Sequence, residues 1–132
     1  MWTRRHFLAG TAALTALPLP FSAAAASAPV ALEARERALS LLPATTTPIW
    51  SYREQWPLVV RTPRGQPFRA QLTNALMEHT TIHWHGIRLP NAMDGVPYMT
   101  QPPVEPGQAF AYAFIPPEAV TYFFHPHRDT LE

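Results

Sequence analysis

Apolar and polar positions along the chain fall into short blocks rather than one long amphipathic repeat. From Ile49 onward, PLVVRT, PFRAQLTNAL, TTIHWHGIRL, QAFAYAFIP and VTYFFHPH are rich in aromatic and β-branched residues. The turn signals PRGQP, NAMDGVP and PVEPGQ lie between them. β-branched and aromatic side chains suit a pleated, half-buried surface, and Pro, Gly, Asn and Asp interrupt it, so each block is predicted to be a strand. Many short strands at this spacing, with no convincing amphipathic helix among them, predict an all-β sandwich or barrel. Ahead of them ALEARERALSLL reads as a short helix broken by PATTTP, which makes residues 29–48 a leader between the N-terminus and the folded part. No internal repeat is visible, and the 16 prolines are scattered as punctuation.

The N-terminus has the parts of an export signal over residues 1–28: charged MWTRRH, apolar FLAGTAALTALPLPF, and SAAAASA with its A-x-A cleavage options. Arg4 and Arg5 followed by Phe7 and Leu8 resemble the twin-arginine signal, which implies export of a folded protein to the periplasm or beyond. Pro18 and Pro20 interrupt an apolar run shorter than the ~20 residues that span a bilayer, so no stable membrane anchor is expected.

Without the signal, the 10 Arg fall to 8 against 9 acidic residues, a net charge of -1, and the chain has no lysine. A near-neutral chain with no basic stripe offers no electrostatic footprint for nucleic acid. The cysteine count is 0, which removes disulfides and thiolate ligands together.

The histidines change the picture. Side chains alternate along a strand, so His83 and His85 share a face and Trp84 takes the other. At ~3.3 Å per residue their backbones stand roughly 6.6 Å apart, which suits imidazoles reaching toward neighbouring metal ions. His125 and His127 repeat the pattern around Pro126. Proline has no N–H, so the last strand is expected to end at Phe124 with HPH as an extended turn at the rim. A lone strand histidine is usually a satisfied polar group, but two HxH pairs point to metal. Imidazoles without thiolates leave copper, zinc, iron and nickel open. A zinc hydrolase of HxHxD type would need an acid where Gly86, Ile87 and Arg88 stand. Gly86 itself is read as making room for a close approach of backbone or ligand. Trp84, Tyr122, Phe123 and Phe124 are read as core, Glu78, His79 and Arg88 as a solvated rim, and Met77, Met93 and Met99 as too dispersed for a copper-collecting segment.

HWHG, the DGVP..TQ..V.PG block and the closing HxH together resemble the first cupredoxin domain of the multicopper oxidases, the laccase-like family, from about Trp50 to the end. The resemblance implies a cupredoxin-like Greek-key β-sandwich over residues 49–132, incomplete at its C-terminus. It also implies half the ligands of a trinuclear copper cluster that reduces O2 to water. On that resemblance His83 ligates the type 2 copper, and His85, His125 and His127 ligate the type 3 pair. Asp94 of MDGVP matches an acidic residue that helps deliver protons to oxygen, though in itself it also fits a plain turn aspartate before Gly95. Val120 stands where the family commonly has Gly.

The remaining cluster ligands and a type 1 site would come from a C-terminal cupredoxin domain in cis or trans, since a chain with 0 cysteines holds no type 1 thiolate. The chain alone is therefore expected to be inactive as an oxidase. The reading from another class is a stand-alone periplasmic copper-sequestering module without redox turnover; a third is a poorly folding remnant. Changing Arg4 and Arg5 together to Lys is expected to leave the protein in the cytoplasm, as cell fractionation and immunoblotting would report; undiminished periplasmic protein would indicate the general secretory route.

Overall fold

The computed structural model of the chain describes residues 28–127. Apart from Ala28, the residues read as an export signal lie outside them. Six strands form in the order β1 (Val30–Leu42), β2 (Thr45–Ser51), β3 (Phe68–Asn74), β4 (Thr81–His85), β5 (Ala109–Phe114) and β6 (Phe123–His127), with one short 3-10 turn at Asn91–Met93. They pair as a four-stranded sheet of order β2-β1-β3-β5 and a two-stranded sheet of β4 and β6. Among the described residues no helix is long and apolar enough to cross a membrane.

The stretch read as a leader with a short helix contains a 13-residue strand. Val30, Leu32 and Ala34 alternate onto the core side, where Leu32 and Ala34 are buried. Their backbones pair in parallel with β3, from Val30 opposite Ala70 to Ala34 opposite Asn74. Beyond Ala34 the strand turns to β2 and pairs antiparallel, Arg35 opposite Ser51 to Leu42 opposite Thr45. Burial on a period of two, together with ladders on two sides, overrides the fair helix propensity of Ala, Leu, Glu and Arg. The opposite error occurs at PLVVRT. It stays irregular, yet Leu58 and Val60 still alternate inward against the core while Val59 points out.

Between the sheets lies an aromatic core. Trp84 of β4 meets Phe68 of β3, Tyr112 and Phe114 of β5 and Phe124 of β6 with ring centroids 5.2–5.4 Å apart. Tilted and edge-on contacts of this kind each contribute roughly 0.5–1.5 kcal/mol beyond the area they bury. Tyr112 also spans the layers by a hydrogen bond, since the Ile82 N–H donates to its hydroxyl at 2.9 Å.

That bond explains how β6 tolerates proline. The expectation that the strand stops at Phe124 is overturned: β6 runs to His127, with Pro126 opposite Ile82. Ile82 spends its N–H on Tyr112 rather than on β6, and Pro126 has none to give, so the pair sits where the ladder asks for no bond. The Tyr112 hydroxyl is held up to about 12 by burial, partly offset by its hydrogen bond with the Ile82 backbone.

Tyr112→Phe is expected to lower stability by about 1–3 kcal/mol in urea denaturation, because the buried Ile82 N–H loses its acceptor. In the wild type the raised Tyr112 value gives stability that is complete below pH 10.0 and falls as pH rises toward about 12, where the folded phenol ionises. A pH series of urea midpoints checks that window, and the Phe variant should lose part of the decline.

Candidate metal centre

Register makes the site. β4 and β6 pair with His83 opposite His125, Thr81 opposite His127 and His85 opposite Phe123. All odd-numbered residues of both strands therefore share one face, while Ile82, Trp84 and Phe124 turn to the core. Ligand nitrogens of His83, His85 and His125 all lie within 4.8 Å of one another. His127 stands beside them, with ring centroids 6.1 Å from His83 and 6.3 Å from His125.

Nitrogen roles follow from the partners. His83 Nδ1 is 2.7 Å from the Asp94 carbonyl oxygen, which can only accept, so Nδ1 carries the proton and Nε2 keeps its lone pair. His125 Nδ1 donates likewise to the Pro126 carbonyl at 2.9 Å. A metal-binding imidazole is ordinarily oriented in this way by a bond from its other nitrogen. His127 Nδ1 is buried with no partner among the described residues. An unpaired buried nitrogen next to lone pairs on neighbouring rings is the donor set an imidazole-binding metal ion fits. Copper is within that set.

Asp94 lies beside His83, with its Oδ1 3.5 Å from His83 Nδ1. It closes the 3-10 turn at Asn91–Met93, where its N–H donates to the Asn91 carbonyl. The neighbour Gly95 fixes that loop to the strand. Gly95 has φ +84°, and a Cβ there would lie 1.8 Å from the Ile82 carbonyl oxygen, so no side chain fits. The Thr81 hydroxyl donates to the Gly95 carbonyl.

At the far end of β4 the Ile87 N–H donates to the Trp84 carbonyl at 3.2 Å, turning the chain at Gly86. Gly86 takes a φ of +81°, which favours glycine, and within the chain a Cβ there would meet the Tyr122 ring at 3.5 Å. Beyond the turn Arg88 pairs with Glu118, whose other carboxylate oxygen accepts from the Tyr122 hydroxyl at 3.0 Å. The Arg88 guanidinium holds Glu118 below the usual carboxylate range, with the Tyr122 hydrogen bond helping.

The structure brings together His83, His85, His125 and His127 and sets Asp94 against the first of them. It departs from the sequence reading at Phe123, placed there in the core. Phe123 is 58% exposed and stacks on His85 at 4.3 Å, because it shares the odd parity of the histidines. Tyr122 joins the Glu118 network rather than the core. Of the rim group, Arg88 is exposed, whereas His79 is half-buried with its ring 6.2 Å from that of Tyr98. Sequence reasoning missed Thr81 and Glu118. Period-two parity with His83 signals Thr81; nothing local signals Glu118, which lies 30 residues from Arg88.

The chain belongs to the multicopper oxidase family: the family model described as "Multicopper oxidase" matches residues 33–132. Copper resistance protein A of Escherichia coli is 41% identical over 74 residues, 56% of this chain and 12% of that protein. Lac15, from a marine microbial metagenome, superposes with a TM-score of 0.72 at 41% identity, over 76% of this chain and 27% of that one. A multi-copper oxidase from Pseudomonas thermotolerans gives 0.70 at 46% identity, over 74% and 24%. The chain thus spans about an eighth of the curated relative's length and about a quarter of each solved structure. The sheets match those of cupredoxin-like structures, in agreement with the expected fold class.

Gly95→Ala is expected to cost on the order of 3 kcal/mol or more, from the positive φ and the clash with Ile82 together. Gly65→Ala, where a Cβ meets nothing within 4 Å, shares the positive φ without the clash. Comparing the two variants in urea denaturation isolates the clash.

Proposed function

We propose that this chain is the N-terminal cupredoxin domain of an exported multicopper oxidase, supplying four histidines to a trinuclear copper cluster. The observation that carries this is the convergence of His83, His85 and His125 nitrogens within 4.8 Å on one strand face, with His127 alongside. In this reading His83 serves the type 2 copper and His85, His125 and His127 the type 3 pair. The other half of the ligands, and the type 1 site that takes electrons from substrate, come from a C-terminal cupredoxin domain in cis or trans. Residues 1–28 act as a twin-arginine signal that delivers the protein to the periplasm or outside, and the domain proper starts at β1.

Bound copper supplies the one-electron redox chemistry by which O2 is reduced to water. The chain's own residues hold and aim. The Asp94 carbonyl fixes His83 with Nε2 toward the ion. In this reading the half-exposed Asp94 carboxylate, whose Oδ1 is 3.5 Å from His83 Nδ1, carries a proton between solvent and the cluster. Phe123 covers the outer side of His85.

The first test is copper stoichiometry and absorption spectrum of the purified chain beside a His83→Ala, His85→Ala double variant. Expected are copper bound without blue absorbance, no oxidase turnover, and loss of that copper in the variant. Equal copper in both proteins would remove these histidines from the site, and turnover by the chain alone would overturn the need for a second domain.

A further inference from the structure

Thr81 is fully buried and lies on the histidine face of β4, two residues before His83. Its hydroxyl donates to the Gly95 carbonyl and also lies 3.2 Å from the His127 carbonyl. Valine has the shape of threonine but not its hydroxyl, so at this buried place the hydroxyl is the informative part. It joins three separate segments of the site: the ligand strand, the Asp94–Gly95 loop and the backbone of His127.

The consequence falls on His83. Its Nδ1–H has one strong acceptor, the Asp94 carbonyl at 2.7 Å, and that carbonyl belongs to the peptide that joins Asp94 to Gly95. The missing Cβ of Gly95 permits its close approach to the Ile82 carbonyl but does not fix the direction of its own carbonyl. The 3-10 turn fixes the other side of Asp94 through its own N–H. The Thr81 hydroxyl is the directional bond that draws the Gly95 carbonyl onto β4 and so sets the peptide plane carrying the Asp94 oxygen.

We infer that Thr81 is a positioning residue for the metal centre: through Gly95 it fixes the Asp94 carbonyl that holds His83 in the Nδ1–H tautomer, leaving Nε2 to bind the ion. This rests on the reading of His83 as a copper ligand, but the tautomer can be read without copper. With the hydroxyl removed, the Asp94 carbonyl loses its fixed direction and the two neutral tautomers of His83 come to compete. Copper affinity then falls, because a share of the molecules presents a protonated nitrogen to the ion.

The experiment is imidazole 15N NMR on the 15N-labelled full chain, copper-free, for the wild type, Thr81→Val and Thr81→Ser, followed by titration with Cu(II). Wild type and Thr81→Ser are expected to show His83 as one Nδ1–H tautomer. Thr81→Val is expected to show both tautomers and to bind copper more weakly in proportion to the share of the Nε2–H form, about 2-fold where the two are equally populated. The dispersed Trp84 indole signal checks that each variant is folded. Should Thr81→Val fail to fold, Thr81→Ala stands in with the same two outcomes. A single Nδ1–H tautomer in the hydroxyl-free variant, or a serine variant no better than valine, overturns the proposal. A tautomer change with no copper bound by any variant upholds the positioning role and counts against the copper reading alone.

Discussion

The site depends on the pairing of β4 with β6, and above all on His83 standing opposite His125. Side chains alternate faces, so a slip of one residue along either strand would send one histidine pair into the aromatic core and expose Trp84 or Phe124 in its place. Burial of Ile82 and Trp84 opposes that slip, which makes the hydrophobic effect on the even face responsible for ligand convergence on the odd face. The candidate metal centre is thus specified by residues on the opposite face of its strands.

Proline makes the constraint sharper. A two-stranded sheet with Pro126 inside one strand has few ladder bonds to spare, and it holds because the residue facing Pro126 finds its acceptor in the other sheet. Tyr112 therefore serves packing and hydrogen bonding at once: its ring meets Trp84 and its hydroxyl takes the Ile82 N–H. Burial that raises its ionisation from 10.0 to about 12 extends the polar tie between the layers further into the alkaline range.

Much of this was legible in the sequence, and the gaps have physical reasons. The HxH pairs, the core role of Trp84 and the all-β class follow from period two and from turn residues, which are local properties. β1 was not legible because Ala, Leu, Glu and Arg have fair helix propensity, and only partners at Ala70 and Ser51 reveal the strand. Phe123 was misread because hydrophobicity was allowed to outrank parity. The strand character of HPH was not legible because a proline's cost depends on whether its place in the register calls for an N–H bond; Tyr112, which takes the facing Ile82 N–H, lies 30 residues from Ile82. The same distance in sequence hid the Arg88 and Glu118 pair.

β4 is five residues long, yet it is fastened at three places. Its first residue is tied to the Gly95 loop and to His127, its second to Tyr112, and the turn after its last residue leads to Arg88 and the Glu118 network. Imidazoles aimed at a common point need orientation held to within tens of degrees, and a strand so short could not provide that from one ladder alone. The fastenings differ in kind, and their exposure separates their roles. The buried Thr81 and Tyr112 bonds are directional and shielded from competing water, so they set geometry. The Arg88 pair is solvent-exposed and screened, so it adds little energy and serves to keep the turn beside the segment that leads into β6. Precision at the metal centre is accordingly concentrated at the Thr81 end of the strand, where His83 and Asp94 meet.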